Sequence, residues 1–302
     1  MVFDSIMDCV GRTPCLRMDV DGGCVFAKAE FMNPGGSIKD RITAHILKLA
    51  ETEGRLRSGM RIAEATSGNT GISLAMAGAA LGYRVTIFMP ETASLERRKL
   101  LGLLGAELVL TPAAEGVGGA VAALKDMLER NKDIFVMDQF VNQENARAHY
   151  RGTGREIWED MDGRVDCFVS GLGSGGTLMG VGAYLKEHNP DVRLIAVEPE
   201  NASALLGQKV RAHRIEGIGD GFVPAIVQID MISEIMEIAD EEAMYRAVEL
   251  ARTRGVMAGI SAGANLAAAA TVLKKHPGWR VATILPDRAE RYFSTAMFGG
   301  AA

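Results

Sequence analysis

Stretches typical of buried strands alternate with predicted helices along most of this chain, and this alternation restricts the folds that the chain can adopt. Apolar runs such as Arg84–Met89 and Glu107–Thr111 are each followed by a predicted helix. Strands that are apolar throughout need cover on both faces, and parallel sheets obtain that cover from the helices that connect their strands. The sequence therefore predicts an α/β fold built on parallel sheets.

The alternation falls into two series with a join near residues 140–150. The first series runs from a strand at Met60–Ala65 to one at Ile134–Asp138, and the second begins with a strand at Val165–Ser170. A chain of 302 residues is long enough for two domains with cores of their own. We predict two doubly wound parallel-sheet domains, at 1–144 and 145–302, with the ligand site in the cleft between them.

Three further segments have a predicted structure. Asp21-Gly22-Gly23 separates two strand-like runs, which predicts a hairpin at about 12–33 that we expect to pack on the C-terminal domain. A helix is predicted at Gln143–Glu159, and a less regular stretch spans about 201–229.

Composition and charge exclude several classes of protein. The chain is 48% hydrophobic and 24% charged with a net charge of -5, which is an ordinary globular mixture and gives no support for a nucleic-acid or membrane partner. The N-terminus lacks the basic and apolar regions of a signal peptide. The four cysteines show no CxxC spacing, so we expect neither a metal site nor disulfides, and we expect a cytoplasmic location.

One lysine stands at an unusual place in a local pattern. The turn residues Asn33–Gly36 precede Ser37, which can cap a helix that has Asp40 in its first turn. Lys39 then lies at a helix N-terminus, where the helix dipole disfavours a cation. We expect the pKa of Lys39 to be lowered, which favours the nucleophilic neutral amine that forms a Schiff base. A lone lysine of this kind is more often an ordinary surface residue.

Two loops combine small polar residues with a helix start. Thr66-Ser67-Gly68-Asn69-Thr70-Gly71 follows a strand and opens a helix, which is typical of an anion site or of a strongly capped helix. Gly171-Leu172-Gly173-Ser174-Gly175-Gly176-Thr177 also follows a strand and opens a helix, and its glycines allow close approach to a phosphate. That second loop formally matches GxGxxG, and Glu198 stands where a ribose-binding acid would. A nicotinamide-dependent oxidoreductase is therefore a rival interpretation, although it leaves Lys39 and the first loop unexplained.

Taken together, these motifs resemble those of the cysteine synthase (O-acetylserine sulfhydrylase) and cystathionine β-synthase family of fold type II enzymes, which use pyridoxal 5'-phosphate (PLP). The run Asn33–Arg41 resembles the PLP-lysine motif of the family. Further matches follow in the family's order, at Thr66–Gly71, Pro90–Arg98, Gly171–Thr177, Gly259–Gly263 and Pro286–Thr295.

The resemblance implies a role for each matched residue. Lys39 holds PLP, Asn69 contacts its phenolic oxygen, and Ser261, which could otherwise simply cap a helix, contacts its pyridine nitrogen. The phosphate ligands are Gly173, Ser174, Gly175, Gly176 and Thr177. The groups that bind the substrate are Thr66, Ser67, Gly68, Asn69, Thr70, Gln139 and Gly219. A serine at the pyridine nitrogen makes the ring a weaker electron sink than an aspartate would, which favours loss of a β-substituent.

One residue departs from the family's pattern. The loop Gly217–Pro224 resembles the family's loop over the active site, but it carries Asp220 where a small apolar residue is usual. An aspartate among glycines often bonds only to its own backbone. Alternatively, Asp220 is a catalytic base that activates water and tilts the enzyme towards breakdown of cysteine.

The resemblance implies β-elimination and β-replacement on a small amino acid through an α-aminoacrylate intermediate. We expect a cysteine synthase that makes L-cysteine and acetate from O-acetylserine and sulfide. The alternative is a lyase that converts L-cysteine and water to L-serine and sulfide. The resemblance also implies a homodimer, a possible serine acetyltransferase partner and a mobile part at about 84–130.

Overall fold

The computed structural model describes residues 2–66, 68–295 and 297. In that part of the chain the strands are β1 Cys15–Val20, β2 Gly23–Lys28, β3 Arg61–Ala65, β4 Arg84–Pro90, β5 Glu107–Thr111, β6 Ile134–Phe135, β7 Cys167–Gly171, β8 Arg193–Pro199, β9 Glu234–Ile238 and β10 Val281–Ile284. The α-helices are α1 Lys39–Thr52, α2 Asn69–Leu81, α3 Leu95–Leu103, α4 Gly116–Arg130, α5 Glu144–His149, α6 Arg155–Asp160, α7 Gly176–His188, α8 Asp240–Arg254 and α9 Ile260–Lys275.

The first compact unit contains the described residues of Met1–Val10, Asn33–Asp138 and Glu290–Ala302. Its four strands are parallel in the order β5-β4-β3-β6. Helix α2 packs closely on one face of this sheet, because a Cβ added at Gly71 would lie 3.2 Å from Ile87 Cγ2. On the opposite face Phe88 packs with Ala120 and Leu124 of α4 in the core.

The second unit contains Gly11–Met32 and Gln139–Ala289. Its sheet has the order β1-β2-β10-β7-β8-β9, in which only the β1–β2 pair is antiparallel. The hairpin turn consists of Asp21 and Gly22, whose φ values of 49° and 82° are those of a two-residue type I′ turn. Since the chain enters each unit more than once, the units do not follow the single linear division predicted at 144/145.

The predicted α/β class with two parallel-sheet domains is confirmed, and three elements differ from the prediction. The strand predicted at Ile134–Asp138 ends after Phe135, because the N–H groups of Met137 and Asp138 bond to the Glu64 carboxylate, at 3.1 and 3.0 Å, instead of a neighbouring strand. Strand β9 was not predicted.

The helix predicted at Gln143–Glu159 is interrupted by a π-helical turn at Tyr150–Gly154. This turn lies where the chain approaches α7 closely, since a Cβ on Gly154 would lie 2.8 Å from Tyr184 Cβ. A single π turn leaves the apolar pattern of a helix almost unchanged, so the sequence does not reveal it.

Helix α9 forms much of the core of the second unit, where most of its residues are buried. Asn265 ties this helix to two strands, because its Oδ1 accepts from the N–H of Gly171 at 2.7 Å and its Nδ2 donates to the carbonyl of Ile284 at 2.9 Å. The end of β7 is thereby fixed at the point where the phosphate-loop motif begins. Among the described helices, none combines the length and apolar character that a membrane crossing requires.

Candidate active site

The turn that precedes Lys39 is held by the side chain of Asp40. The N–H of Gly36 donates to the carbonyl of Asn33 at 2.8 Å, and the Asp40 carboxylate accepts from the N–H of Gly35 at 2.7 Å. A Cβ on Gly35 would lie 2.5 Å from Asp40 Oδ1, so glycine is required there. Asp40 is fully buried, and this contact fixes the turn to the first residues of α1.

Helix α1 begins at Lys39 itself, which is half-buried. Ser37 Oγ accepts a hydrogen bond from the N–H of Lys39 at 3.3 Å, although the N-cap position is Ile38. The predicted position of Lys39 at a helix N-terminus is therefore correct. There the positive end of the helix dipole acts against the charged form of a lysine.

The first polar loop joins β3 to α2 in the same unit. Thr66 and Thr70 are buried, and Thr66 Oγ1 accepts from the N–H of Gly68 at 3.2 Å. Asn69 is the first residue of α2, so its N–H and those that follow belong to a helix N-terminus, where an anion is favoured. Ser67, also predicted to bind substrate, lies outside the described residues.

Arg291 connects this loop to the lysine turn. Its Nη1 donates to Asn69 Oδ1 and its Nη2 donates to the carbonyl of Gly35. The side chain is buried, with 3% of its surface exposed. Within this unit one guanidinium therefore holds Asn69 and the residues before Lys39 in a fixed relation.

The second polar loop contains a set of N–H groups that fits a phosphate. Among the described residues, no hydrogen bond uses the N–H groups of residues 173–177. Ser174 Oγ accepts from Asn145 Nδ2 at 2.9 Å, so its own proton is available to donate elsewhere. Unpaired N–H groups at the start of α7 together with a hydroxyl donor are what a phosphate monoester requires. This loop fits the phosphate group of PLP.

Close contacts explain two glycines of this loop. A Cβ on Gly173 would overlap the carbonyl oxygen of Gly217, and a Cβ on Gly176 would overlap Asn145 Oδ1. Gly175 has a φ of 85°, which disfavours other residues. Thr177 Oγ1 is 3.3 Å from His149 Nε2, within hydrogen-bond distance. The loop is therefore shaped by residues that the sequence motif does not include.

Two other predicted residues of the second unit, Gln139 and Ser261, are both buried. Asn145 Nδ2 also donates to the carbonyl of Gln139 at 2.7 Å, so it links this buried residue to Ser174. Ser261 is buried in the first turn of α9, where Gly259 rather than Ser261 is the N-cap residue. Capping is therefore not the role of Ser261 in this helix.

The loop that carries Asp220 is attached to the phosphate loop through its backbone. The N–H of Gly219 donates to the carbonyl of Leu172 at 3.0 Å, and the Gly219 carbonyl lies 3.0 Å from Nε2 of His213. Since a carbonyl only accepts, a hydrogen bond at this contact requires a proton on Nε2 of His213. Asp220 is exposed on this loop, and Phe222 makes an edge contact with Phe140 at a centroid distance of 5.0 Å.

Glu64 is a buried carboxyl group that supports the segment just before Gln139. Burial raises the pKa of Glu64 to about 7, and hydrogen bonds from the N–H groups of Asp138 and Met137 oppose this effect. In the unfolded chain the pKa of Glu64 returns to its ordinary value of about 4.5. The folded state therefore binds the proton more tightly, and this contribution to stability, complete below about pH 4.5, is lost as the pH rises to about 7.

We expect Glu64→Gln to remove this pH dependence, because the amide oxygen still accepts both N–H bonds but does not titrate. The unfolding free energy of wild type minus that of the variant should fall by up to roughly 3 kcal/mol between about pH 4.5 and pH 7. Thermal unfolding of the holoenzyme across this range measures it. Glu129→Gln, at an exposed position of α4, is the control. The difference between its unfolding free energy and that of wild type should not change with pH over this range. A constant difference for Glu64→Gln would contradict the assignment.

The comparisons with known proteins agree with this geometry. The model of the pyridoxal-phosphate dependent enzyme family matches residues 6–287. The chain belongs to this family. It is 44% identical to cysteine synthase B of Campylobacter jejuni, over 98% of this chain and 99% of that protein.

Two solved structures of the family are also similar. Cysteine synthase from Entamoeba histolytica has a TM-score of 0.95 at 38% identity and covers 100% of this chain and 92% of its own. A hydrogen sulfide-producing enzyme from Fusobacterium nucleatum has a TM-score of 0.93 at 35% identity, with coverage of 97% and 98%. PLP is therefore the cofactor, and the predicted membership of the cysteine synthase family is confirmed.

Membership of this PLP family removes the nicotinamide interpretation. The structure adds a physical reason, because the carboxylate of Glu198 is already used inside the protein. It accepts from Ser203 Oγ at 2.8 Å and from the N–H of Ala204 at 3.1 Å, and the residue is buried. Glu198 therefore holds the chain after β8 instead of a ribose.

Five residues that support these motifs cannot be recognised from the sequence pattern. They are Glu64, Asn145, His149, Asn265 and Arg291. Arg291 lies inside the segment Pro286–Thr295, and the family resemblance of that segment implies no role for the arginine. The others have no local pattern that distinguishes them, since each bonds to a distant part of the sequence.

Proposed function

We propose that this chain is a cysteine synthase, which forms L-cysteine and acetate from O-acetylserine and sulfide. The observation that carries the proposal is the match to cysteine synthase B of Campylobacter jejuni over 98% of this chain and 99% of that protein. The phosphate-binding geometry of residues 173–177 and the polar loop before α2 support it.

Lys39 is proposed to hold PLP through its side-chain amine. PLP, when bound, withdraws electrons from the α-carbon of the substrate amino acid. Once its amine is displaced by the substrate, Lys39 removes the α-proton and later returns it. The neutral amine is needed to remove the proton, and the N-terminus of α1 favours that form. The resulting ammonium group carries the proton that Lys39 later returns.

The substrate carboxylate is assigned to the N-terminus of α2. Thr66 and Thr70 offer hydroxyls there, and Asn69 offers an amide that we also assign to the cofactor's phenolic oxygen. The family resemblance assigns four further residues to substrate binding, namely Ser67, Gly68, Gln139 and Gly219. Donors fixed before the substrate arrives bind an anion without the cost of ordering them.

The phosphate of PLP is assigned to residues 173–177, and its pyridine nitrogen to Ser261. A hydroxyl is a weaker partner for that nitrogen than a carboxylate, and so it leaves the ring less able to hold negative charge. We infer that the enzyme is thereby directed to early loss of the β-substituent.

A second candidate function is the conversion of L-cysteine and water to L-serine and sulfide. One observation favours it, because Asp220 is exposed on a loop bonded to the phosphate loop through Gly219. The similar structure of a hydrogen sulfide-producing enzyme is consistent with this function but does not favour it over cysteine synthesis. In this function the Asp220 carboxylate accepts a proton from water as it attacks the β-carbon.

Product identification separates the two functions. We expect cysteine formation from O-acetylserine and sulfide to exceed serine formation from L-cysteine by at least about tenfold, or 1.4 kcal/mol in activation free energy. If serine formation is faster, the lyase is correct. In that case Asp220→Ala should lower serine formation about 10²–10⁴-fold, and Asp230→Ala, at another exposed aspartate, should not.

We also propose that the chain forms a homodimer, which size-exclusion chromatography with light scattering would test. The family resemblance further implies a serine acetyltransferase as a partner. The four cysteines are free, which supports the proposal of a cytoplasmic location.

A further inference from the structure

We propose that Arg291 is a positioning residue that orients the Asn69 amide, so that its NH₂ group and not its oxygen is presented to the cofactor and substrate. The proposal rests on the role of Asn69 in the proposed function and assigns a task to a residue outside the motifs that bind the ligand.

The chemistry of the two side chains decides which atoms of Arg291 and Asn69 can bond. A guanidinium carries only donors, whereas an amide has an acceptor oxygen and a donor nitrogen. Since Arg291 Nη1 bonds to the amide of Asn69, the atom it meets is Oδ1. The NH₂ group is then directed away from Arg291 and remains a donor. An anionic oxygen needs such a donor, so the arginine selects the useful one of two amide orientations.

The second bond of Arg291 adds a positional constraint. Nη2 donates to the carbonyl of Gly35, in the turn that Asp40 holds against the start of α1. The lysine helix and the asparagine therefore share one rigid partner. With only 3% of its surface exposed, the guanidinium must keep its hydrogen bonds, because a buried charge without partners is costly.

The backbone around Arg291 is itself held in place. Its carbonyl accepts from Ser94 Oγ at 3.2 Å, and Ser294 Oγ donates to Glu96 at 2.6 Å. The ring of Tyr292 lies 5.2 Å from the guanidinium carbon of Arg97. These contacts join the segment after residue 290 to the start of α3. Arg291 is consequently a fixed reference point for the Asn69 amide.

The test uses a double-mutant cycle on PLP affinity. Apoprotein of wild type, Asn69→Ala, Arg291→Lys and the double variant is titrated with PLP, and binding is followed by fluorescence. The wavelength of the visible band of each holoenzyme gives a second readout. We expect each single variant to weaken PLP binding about ten- to hundredfold, and the double variant to be no weaker than Asn69→Ala. The band should move equally in both single variants.

Two further variants keep the test independent of folding. Asn69→Asp retains an acceptor for Arg291 but loses the donor. Its apoprotein should therefore unfold at a temperature no lower than that of the wild-type apoprotein, whereas its affinity for PLP should be weaker than that of wild type. Arg288→Lys changes an exposed arginine that bonds to the carbonyl of Phe31, and it should bind PLP as wild type does.

The remaining outcomes are decisive. Additive losses in the double variant, or an Arg291→Lys variant with unchanged affinity and band, would overturn the positioning role while leaving Asn69 in the proposed function. Unchanged affinity and band in Asn69→Ala and Asn69→Asp would overturn the role of Asn69 itself, and the inference with it.

Discussion

Replacing Lys39 with alanine should lower cysteine formation roughly 10³-fold or more, because the protein then loses both the amine proposed to hold PLP and the group proposed to move the α-proton. The fold should be retained, since alanine is a good helix former and the bonds of Asp40 to the turn do not involve the Lys39 side chain. Steady-state assays with O-acetylserine and sulfide measure the effect, and borohydride reduction shows whether the cofactor is still attached.

Lys48→Ala is the matched control for this experiment. Lys48 is an exposed lysine of the same helix, so its removal changes charge and helix composition without touching the proposed site. Activity should stay within about twofold of wild type, as for most exposed substitutions. If Lys39→Ala kept more than about a tenth of the activity, a loss of only 1.4 kcal/mol, the assignment of Lys39 would be wrong.

The second large effect is expected at Gly176. A methyl group there overlaps Asn145 Oδ1, so the amide must move and give up its bonds to the Gln139 carbonyl and to Ser174 Oγ. We expect Gly176→Ala to lower the unfolding free energy by about 1–3 kcal/mol and to weaken PLP binding at least tenfold, or 1.4 kcal/mol. Thermal unfolding and titration of the apoprotein with PLP measure the two effects.

Gly118→Ala provides the contrast. A Cβ at Gly118 meets nothing within 4 Å, and the residue lies within helix α4. Alanine there should stabilise the protein by about 0.4–1 kcal/mol and leave PLP affinity unchanged. Weak PLP binding in both variants, or in neither, would show that the contact with Asn145 does not shape the phosphate loop.

Local pattern was sufficient to predict much of the fold. Helix α2 begins within the loop that was predicted to open a helix, and strand β5 occupies the predicted residues Glu107–Thr111, because each has a clear apolar pattern and a distinct start. Strand β6 is shorter than predicted because a side chain, Glu64, bonds to the backbone where a strand would have continued. Strand β9 follows the irregular stretch and has only two buried residues, so its apolar signal is weak.

The residues of the candidate site likewise divide into those that the local sequence predicts and those that it does not. Lys39 and the two polar loops are visible in the sequence because turn residues and helix starts are local features. Gln139 and Ser261 needed the family resemblance, since a single glutamine or serine carries no pattern. Arg291 and Asn145 act on partners that are distant or that lie in another element, and only the folded chain shows them.

The position of Arg291 also has a consequence for the order in which the protein is made. Asn69 and Arg291 are separated by 222 positions in the sequence, and the part of the second unit at Gln139–Ala289 is synthesised between them. As the chain leaves the ribosome, helix α2 and its sheet can form early, but the guanidinium that fixes the Asn69 amide is still missing. The first polar loop therefore reaches its final arrangement only after most of the second unit has emerged.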